Sequence, residues 1–138
     1  MTTDVASYID SSIALRMILD DPGSKAVRAW WTAARNAGEE IYASKLLQVE
    51  MARVLQREKL SLALSMPVLS ALWLIDMDDD VIRAASTIST GKHLRSLDAI
   101  HLGTATLLAP DGITVVTHDI RMREVADGLG LTVIDPAE

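Results

Sequence analysis

Two hydrophobic rhythms alternate along this chain. Short apolar or β-branched runs occur at Val5 to Ile9, Glu40 to Ala43, Leu74 to Met77, Ile113 to Thr117 and Leu131 to Ile134, and each predicts a strand. Between them the apolar residues recur at helical spacing. This predicts helices over Ile13 to Leu19, Ser24 to Ala37, a Ser44-capped segment to about Arg57, Val81 to about Ser89, a Ser96-capped segment to Leu108, and Asp119 to Asp127. Leu60 to Trp73 reads as a helix or helix pair interrupted near Pro67. The turn cluster Asp20-Asp21-Pro22-Gly23, the helix-closing Gly38, the break at Gly91 and Pro110 all fall between elements. Strands alternating with helices predict an α/β fold whose parallel sheet is covered on both faces.

Length agrees with that picture. The 138 residues, 49% hydrophobic, suffice for one core, so residues 1–138 are expected to form a single domain. No repeat, low-complexity tract or Gly/Ser linker divides them. The N-terminus has no signal-peptide pattern and no apolar run reaches the roughly 20 residues of a membrane span, which makes a cytoplasmic location, away from membranes, the expectation.

Charge and composition narrow the chemistry. The net charge of −6 argues against a polybasic protein that holds nucleic acid by bulk electrostatics. With no Cys and three His, any metal would sit mainly on oxygen. Should four carboxylates share one site, most of the net negative charge belongs to that site, and a bound divalent cation would change the local sign.

Four carboxylates stand out by position. Asp10 follows the first strand in YIDSSIAL, and Asp119 follows the fourth in TVVTHD. Glu50 interrupts the apolar face of LLQVEMARVL, and Asp98 lies in the first turn of the apolar helix LDAIHLGTA. Each has an ordinary structural explanation. Asp10 and Asp119 suit N-caps, Asp98 suits the helix dipole, and Glu50 has Arg53 and Arg57 as candidate salt-bridge partners. In a parallel α/β sandwich, however, strand C-termini and helix N-termini share one edge, so all four converge there. Such an oxygen cluster suits Mg²⁺ or Mn²⁺ and the hydrolysis of phosphodiesters. Ser11 and Ser12 are either caps or supports for Asp10 or a bound water. Thr117, two residues before Asp119, is expected on the same side of its strand.

With these motifs in order, YIDSSIAL, LLQVEMARVL, LRSLDAIHLGTA and TVVTHDIRMREVADGLGLTVIDP, the chain resembles the PIN-domain family, specifically the VapC-like ribonuclease toxins of type II toxin–antitoxin pairs. The resemblance implies a three-layer α/β/α sandwich and a Mg²⁺- or Mn²⁺-dependent endoribonuclease acting on RNAs such as transfer or ribosomal RNA. It also implies a homodimer inhibited by a cognate VapB-like antitoxin. Asp10, Glu50, Asp98 and Asp119 would be the catalytic, metal-binding quartet, Asp119 standing at the family's least constant position, with Ser12 and Thr117 as polar support. The implied mechanism is attack by metal-activated water without a covalent intermediate. Alternatives are a non-catalytic PIN-like module that binds RNA or protein, and a housekeeping RNA-processing nuclease. Aspartyl-phosphate chemistry is disfavoured because Ser12 stands where a second Asp is needed.

Around the quartet, Arg95 and Arg121 are the expected RNA-phosphate contacts, with Arg16, Lys45, Arg53 and Arg123 further off. His101 and His118 flank the site as structural supports, proton donors or phosphate contacts. Trp30, Trp31 and Trp73 are candidates for helix packing, an apolar docking groove or base stacking, and Asp78-Asp79-Asp80 for a dipole-stabilised helix start.

Overall fold

The computed structural model describes residues 6–89 and 93–138. Five strands, β1 (Ala6–Ile9), β2 (Glu40–Ser44), β3 (Trp73–Ile75), β4 (Ile113–Val116) and β5 (Thr132–Ile134), form one sheet in the order β3-β2-β1-β4-β5. Every neighbouring pair is parallel. Seven α-helices among the described residues connect them: α1 (Ser11–Ile18), α2 (Ser24–Asn36), α3 (Leu46–Arg57), α4 (Met66–Leu69), α5 (Asp79–Ser86), α6 (Ser96–Leu108) and α7 (Ile120–Gly128).

The alternation of side chains along each strand divides the core into two layers. Ile9, Ile41, Ala43 and Val116 point to one face, where they pack with Ile13, Val27, Leu47 and Met51 of α1, α2 and α3. Tyr8, Ile113 and Val115 point to the other, against Leu102 and Ala105 of α6 and Met122, Val125 and Ala126 of α7. The result is the expected three-layer α/β/α sandwich. Because the chain winds outward from β1 through β2 to β3 and then returns to β4 on the other side, the strand order reverses between β1 and β4. The carboxyl ends of those two strands border the crevice where open α/β sheets place their ligands.

Local chemistry departs from the expected element ends in several places. Ser96 is the first helical residue of α6 rather than its cap, because the Ala99 N–H to Arg95 carbonyl bond closes the first turn one residue earlier. Ser44 ends β2, yet its hydroxyl still accepts from Leu46 N at 3.1 Å. Pro67 does not interrupt a helix. It lies in the first turn of α4, after a 3₁₀ turn over Leu62–Ser65, where its missing N–H would be unpaired anyway. Asp78 caps α5 by accepting from Val81 N at 3.0 Å, leaving Asp79 and Asp80 in the first turn, and that helix stops at Ser86. The expected strand residue Val5 and the expected break at Gly91 lie outside the described residues.

Helices α5 and α6 touch through their backbones. A Cβ added to Gly103 of α6 would sit 2.7 Å from Ala85 N of α5. Among the described residues no helix is long and apolar enough to cross a membrane.

Candidate active site

Asp10 both caps a helix and presents a carboxylate at the crevice. It follows β1 directly and caps α1 by accepting from Ile13 N at 3.3 Å. The Ser12 hydroxyl donates to its Oδ1 at 2.5 Å, and the Thr117 hydroxyl donates to its Oδ2 at 2.5 Å. Each hydroxyl is aimed in turn by a backbone N–H of the turn after β4: His118 N reaches Ser12 Oγ at 2.9 Å, and Asp119 N reaches Thr117 Oγ1 at 3.1 Å. Three donors occupy about three of the carboxylate's four acceptor positions and leave one on Oδ2. Asp10 is only 4% exposed. Burial raises its carboxyl above the usual range, although a charged His101, the two hydroxyls and the Ile13 N–H all oppose the rise.

Glu50, half-buried on α3, does not pair with Arg53 or Arg57. Arg53 turns to Gln56 at 3.1 Å and Arg57 to Glu58 at 3.8 Å. The partner of Glu50 is His101 of α6, whose Nε2 lies 2.7 Å from its Oε1. His101 is 1% exposed and meets the Tyr8 hydroxyl through Nδ1 at 2.7 Å. Tyr8 had no expected role. A buried Tyr needs a partner for its hydroxyl, but a partner 93 residues away leaves no local signal in the sequence.

Asp98, half-buried in the first turn of α6, is raised by burial first. The charge of Asp119 follows, with Asp10 and Glu50 adding and His101 opposing. Asp98 therefore lies within electrostatic reach of the other three predicted acids. Asp119 caps α7 by accepting from Met122 N at 3.0 Å and, with Arg95, Asp98 and Arg121, lines an open cavity of about 230 Å³. The two expected phosphate contacts thus border the same cavity as two of the acids.

Other candidates are committed elsewhere. The His118 ring meets Asp135 at 2.9 Å, and Arg123 approaches the same carboxylate at 3.2 Å while also reaching Glu138, so His118 serves the site through its backbone N–H. Lys45 pairs with Asp76 at 2.6 Å, and Arg16 donates to the Ser12 and Pro22 carbonyls. Trp30 and Trp31 pack on the core, whereas Trp73 stands out on the edge strand β3.

Among the described residues no three carboxylate or imidazole side chains form a ready-made cage for a metal. The donor set nevertheless fits Mg²⁺ or Mn²⁺ chemically. It is all oxygen, and two of its carboxyls are raised by burial, with neighbouring negative charge adding at Asp98, a cost that a nearby cation would offset.

The chain resembles known proteins in both sequence and fold. The PIN domain family matches residues 7–128, and the chain belongs to that family. Within it the chain is VapC-like. It is 30% identical over 131 residues to ribonuclease VapC47 of Mycobacterium tuberculosis (strain CDC 1551 / Oshkosh), covering 94% of this chain and 96% of that protein. It is 33% identical over 133 residues to ribonuclease VapC46 of Mycobacterium tuberculosis (strain ATCC 25618 / H37Rv), covering 96% and 98%. Two solved structures share the fold. A toxin–antitoxin complex from Klebsiella pneumoniae superposes with a TM-score of 0.70 at 17% identity, over 94% of this chain and 97% of that one. VapBC2 from Rickettsia felis, bound to a promoter DNA fragment, superposes with a TM-score of 0.67 at 14% identity, over 95% and 98%.

Proposed function

We propose that residues 1–138 form one PIN domain acting as a divalent-metal-dependent endoribonuclease, the toxin of a type II toxin–antitoxin pair. The observation that carries this reading is the double lock on Asp10. Hydroxyls from Ser12 and Thr117, each aimed by a backbone N–H, hold a buried carboxylate at the reversal point of the sheet. Evenly matched VapC ribonucleases among the relatives point to RNA as the substrate.

In this reading Asp10, Asp98 and Asp119 hold Mg²⁺ or Mn²⁺, with Glu50 completing the quartet. When bound, such an ion supplies Lewis acidity toward a phosphate and lowers the pKa of water. Ser12 and Thr117 keep Asp10 in one rotamer, so no reorganisation is needed when the ion arrives. Arg95 and Arg121, which line the same cavity as Asp98 and Asp119, contact RNA phosphates. The protein works in the cytoplasm as a homodimer and is silenced by a VapB-like antitoxin encoded beside it.

Incubating the purified, antitoxin-free chain with total cellular RNA tests the proposal. Mn²⁺ or Mg²⁺ is expected to yield discrete fragments, and EDTA, Asp10→Ala or Asp98→Ala to suppress them. Intact RNA under every divalent ion would reject the enzyme and leave a binding module.

A further inference from the structure

The Glu50–His101 pair belongs to a longer chain of hydrogen bonds that crosses four elements. Ser44 N, at the end of β2, donates to the Tyr8 hydroxyl of β1 at 3.2 Å. The same hydroxyl lies 2.7 Å from His101 Nδ1 of α6. His101 Nε2 lies 2.7 Å from Glu50 Oε1 of α3, and because a carboxylate only accepts, Nε2 carries the hydrogen of that bond in the neutral ring and in the imidazolium alike. Tyr8 and His101 are each 1% exposed, and their rings meet edge to face with centroids 5.9 Å apart. Buried, stacked and bonded at both nitrogens, the imidazole has one orientation.

Among the described residues no buried side-chain N or O atom lacks a partner. A polar chain of this kind specifies geometry more than it adds stability. At its far end is the carboxylate that sequence pattern placed on an otherwise apolar helical face. Glu50 has the longest side chain of the four acids and is the one without a helix-capping or helix-dipole duty to hold it.

We infer that His101 is a positioning residue for Glu50: its buried ring, fixed between the Tyr8 hydroxyl and the Glu50 carboxylate, holds that carboxylate at the acidic edge through Nε2–H. The inference rests on the ribonuclease reading for its functional consequence and on the hydrogen bonds alone for the tie itself. That bond leaves Oε2 and one lone pair of Oε1 uncommitted to His101. Its rotamer is set by the core rather than by whatever binds.

Three variants of the full chain test this: His101→Gln, His101→Leu and Tyr8→Phe. Mn²⁺ affinity by electron paramagnetic resonance and RNA cleavage split into kcat and KM are measured beside each melting temperature. Removing a support of this kind typically lowers metal affinity or activity about 10- to 100-fold. That loss is expected in His101→Leu, on Mn²⁺ affinity and kcat more than on KM. His101→Gln, whose amide N–H can reach Oε1, is expected to recover most of it at a similar melting temperature. Wild-type Mn²⁺ affinity and kcat in His101→Leu would overturn the inference, as would losses in the Gln and Leu variants that simply follow melting temperature.

A wild-type protein that neither binds Mn²⁺ nor cleaves RNA would instead defeat the ribonuclease reading. The tie is then read from imidazole ¹⁵N NMR. A protonated Nε2 in wild type, in the neutral ring or in the imidazolium, that is less populated in Tyr8→Phe supports it, and an Nε2 without a proton in wild type overturns it.

Discussion

Thr117 donates its hydroxyl to Asp10 Oδ2 at 2.5 Å across 107 residues of chain, while Asp119 N donates to Thr117 Oγ1 at 3.1 Å. One hydroxyl thereby joins the ends of β1 and β4 and sets the carboxylate between them. Thr117→Val keeps the shape of the side chain and removes the donor, leaving a buried carboxylate oxygen and a backbone N–H short of a partner. The variant is expected to lose about 1–3 kcal/mol of stability in urea denaturation, with Thr117→Ser close to wild type. Equal stability in all three proteins would show that the bond contributes nothing.

Asp10→Asn separates stability from function. The ionised form of Asp10 is disfavoured by burial, so a neutral amide of the same shape relieves that cost in the metal-free protein. In EDTA the variant should melt above wild type. With Mn²⁺ present, wild type should gain stability while the variant gains little, and the variant's RNA cleavage should be lost. A variant that melts well below wild type in EDTA would mean that the carboxylate's hydrogen bonds outweigh its desolvation.

The pH dependence of the metal-free protein follows from three raised groups. Burial raises Asp10 and also Asp98, to which the charge of Asp119 contributes next. Burial alone would lower His101, but the Glu50 hydrogen bond and the surrounding carboxylates together raise it. A group whose pKa is higher folded than unfolded binds more protons in the folded state between those two values. Its stabilisation is complete below the unfolded value and disappears as pH rises through the folded one. The two Asp windows open upward from about pH 4 and the His101 window from about pH 6.5. Melting temperature in EDTA should therefore fall as pH rises from about pH 4, with His101 adding to the fall above about pH 6.5, and Mn²⁺ should flatten the fall. A rising profile in EDTA would contradict the three shifts.

Gly103 offers a prediction away from the acids. Helix propensity alone favours Ala over Gly by about 1 kcal/mol. At this position an added Cβ meets the Ala85 backbone at 2.7 Å, and α5 cannot move away without opening its packing on α6. Gly103→Ala should therefore lose about 1–3 kcal/mol in chemical denaturation. A stabilised variant would mean that α5 moves freely.

Much of the architecture was written locally. The β-branched run ITVV formed β4, and Asp119 formed the cap that its place before a helix implied. Gly38 closed α2 with a positive φ of 74°. The departures came where neighbouring residues competed for one boundary. Ser96 was displaced by a turn that closed on Arg95, and Pro67 began a helix instead of interrupting one. Propensity alone did not decide which of several capable residues took the boundary.

The site was legible as positions but not as bonds. That strand ends and helix starts share an edge follows from parallel winding, so Asp10, Asp98 and Asp119 could be placed together from the sequence. The local alternative for Glu50 was a salt bridge to Arg53 or Arg57, within one or two turns, and its partner is His101, 51 residues on. Tyr8 and the His118 backbone N–H were invisible for the same reason.

Periodicity and capping, which act over a few residues, determined the elements, their alternation and the edge on which the acids gather. Only the tertiary structure decided which hydroxyl meets which carboxylate oxygen, because those contacts depend on strand register and on side chains brought together from opposite ends of the chain.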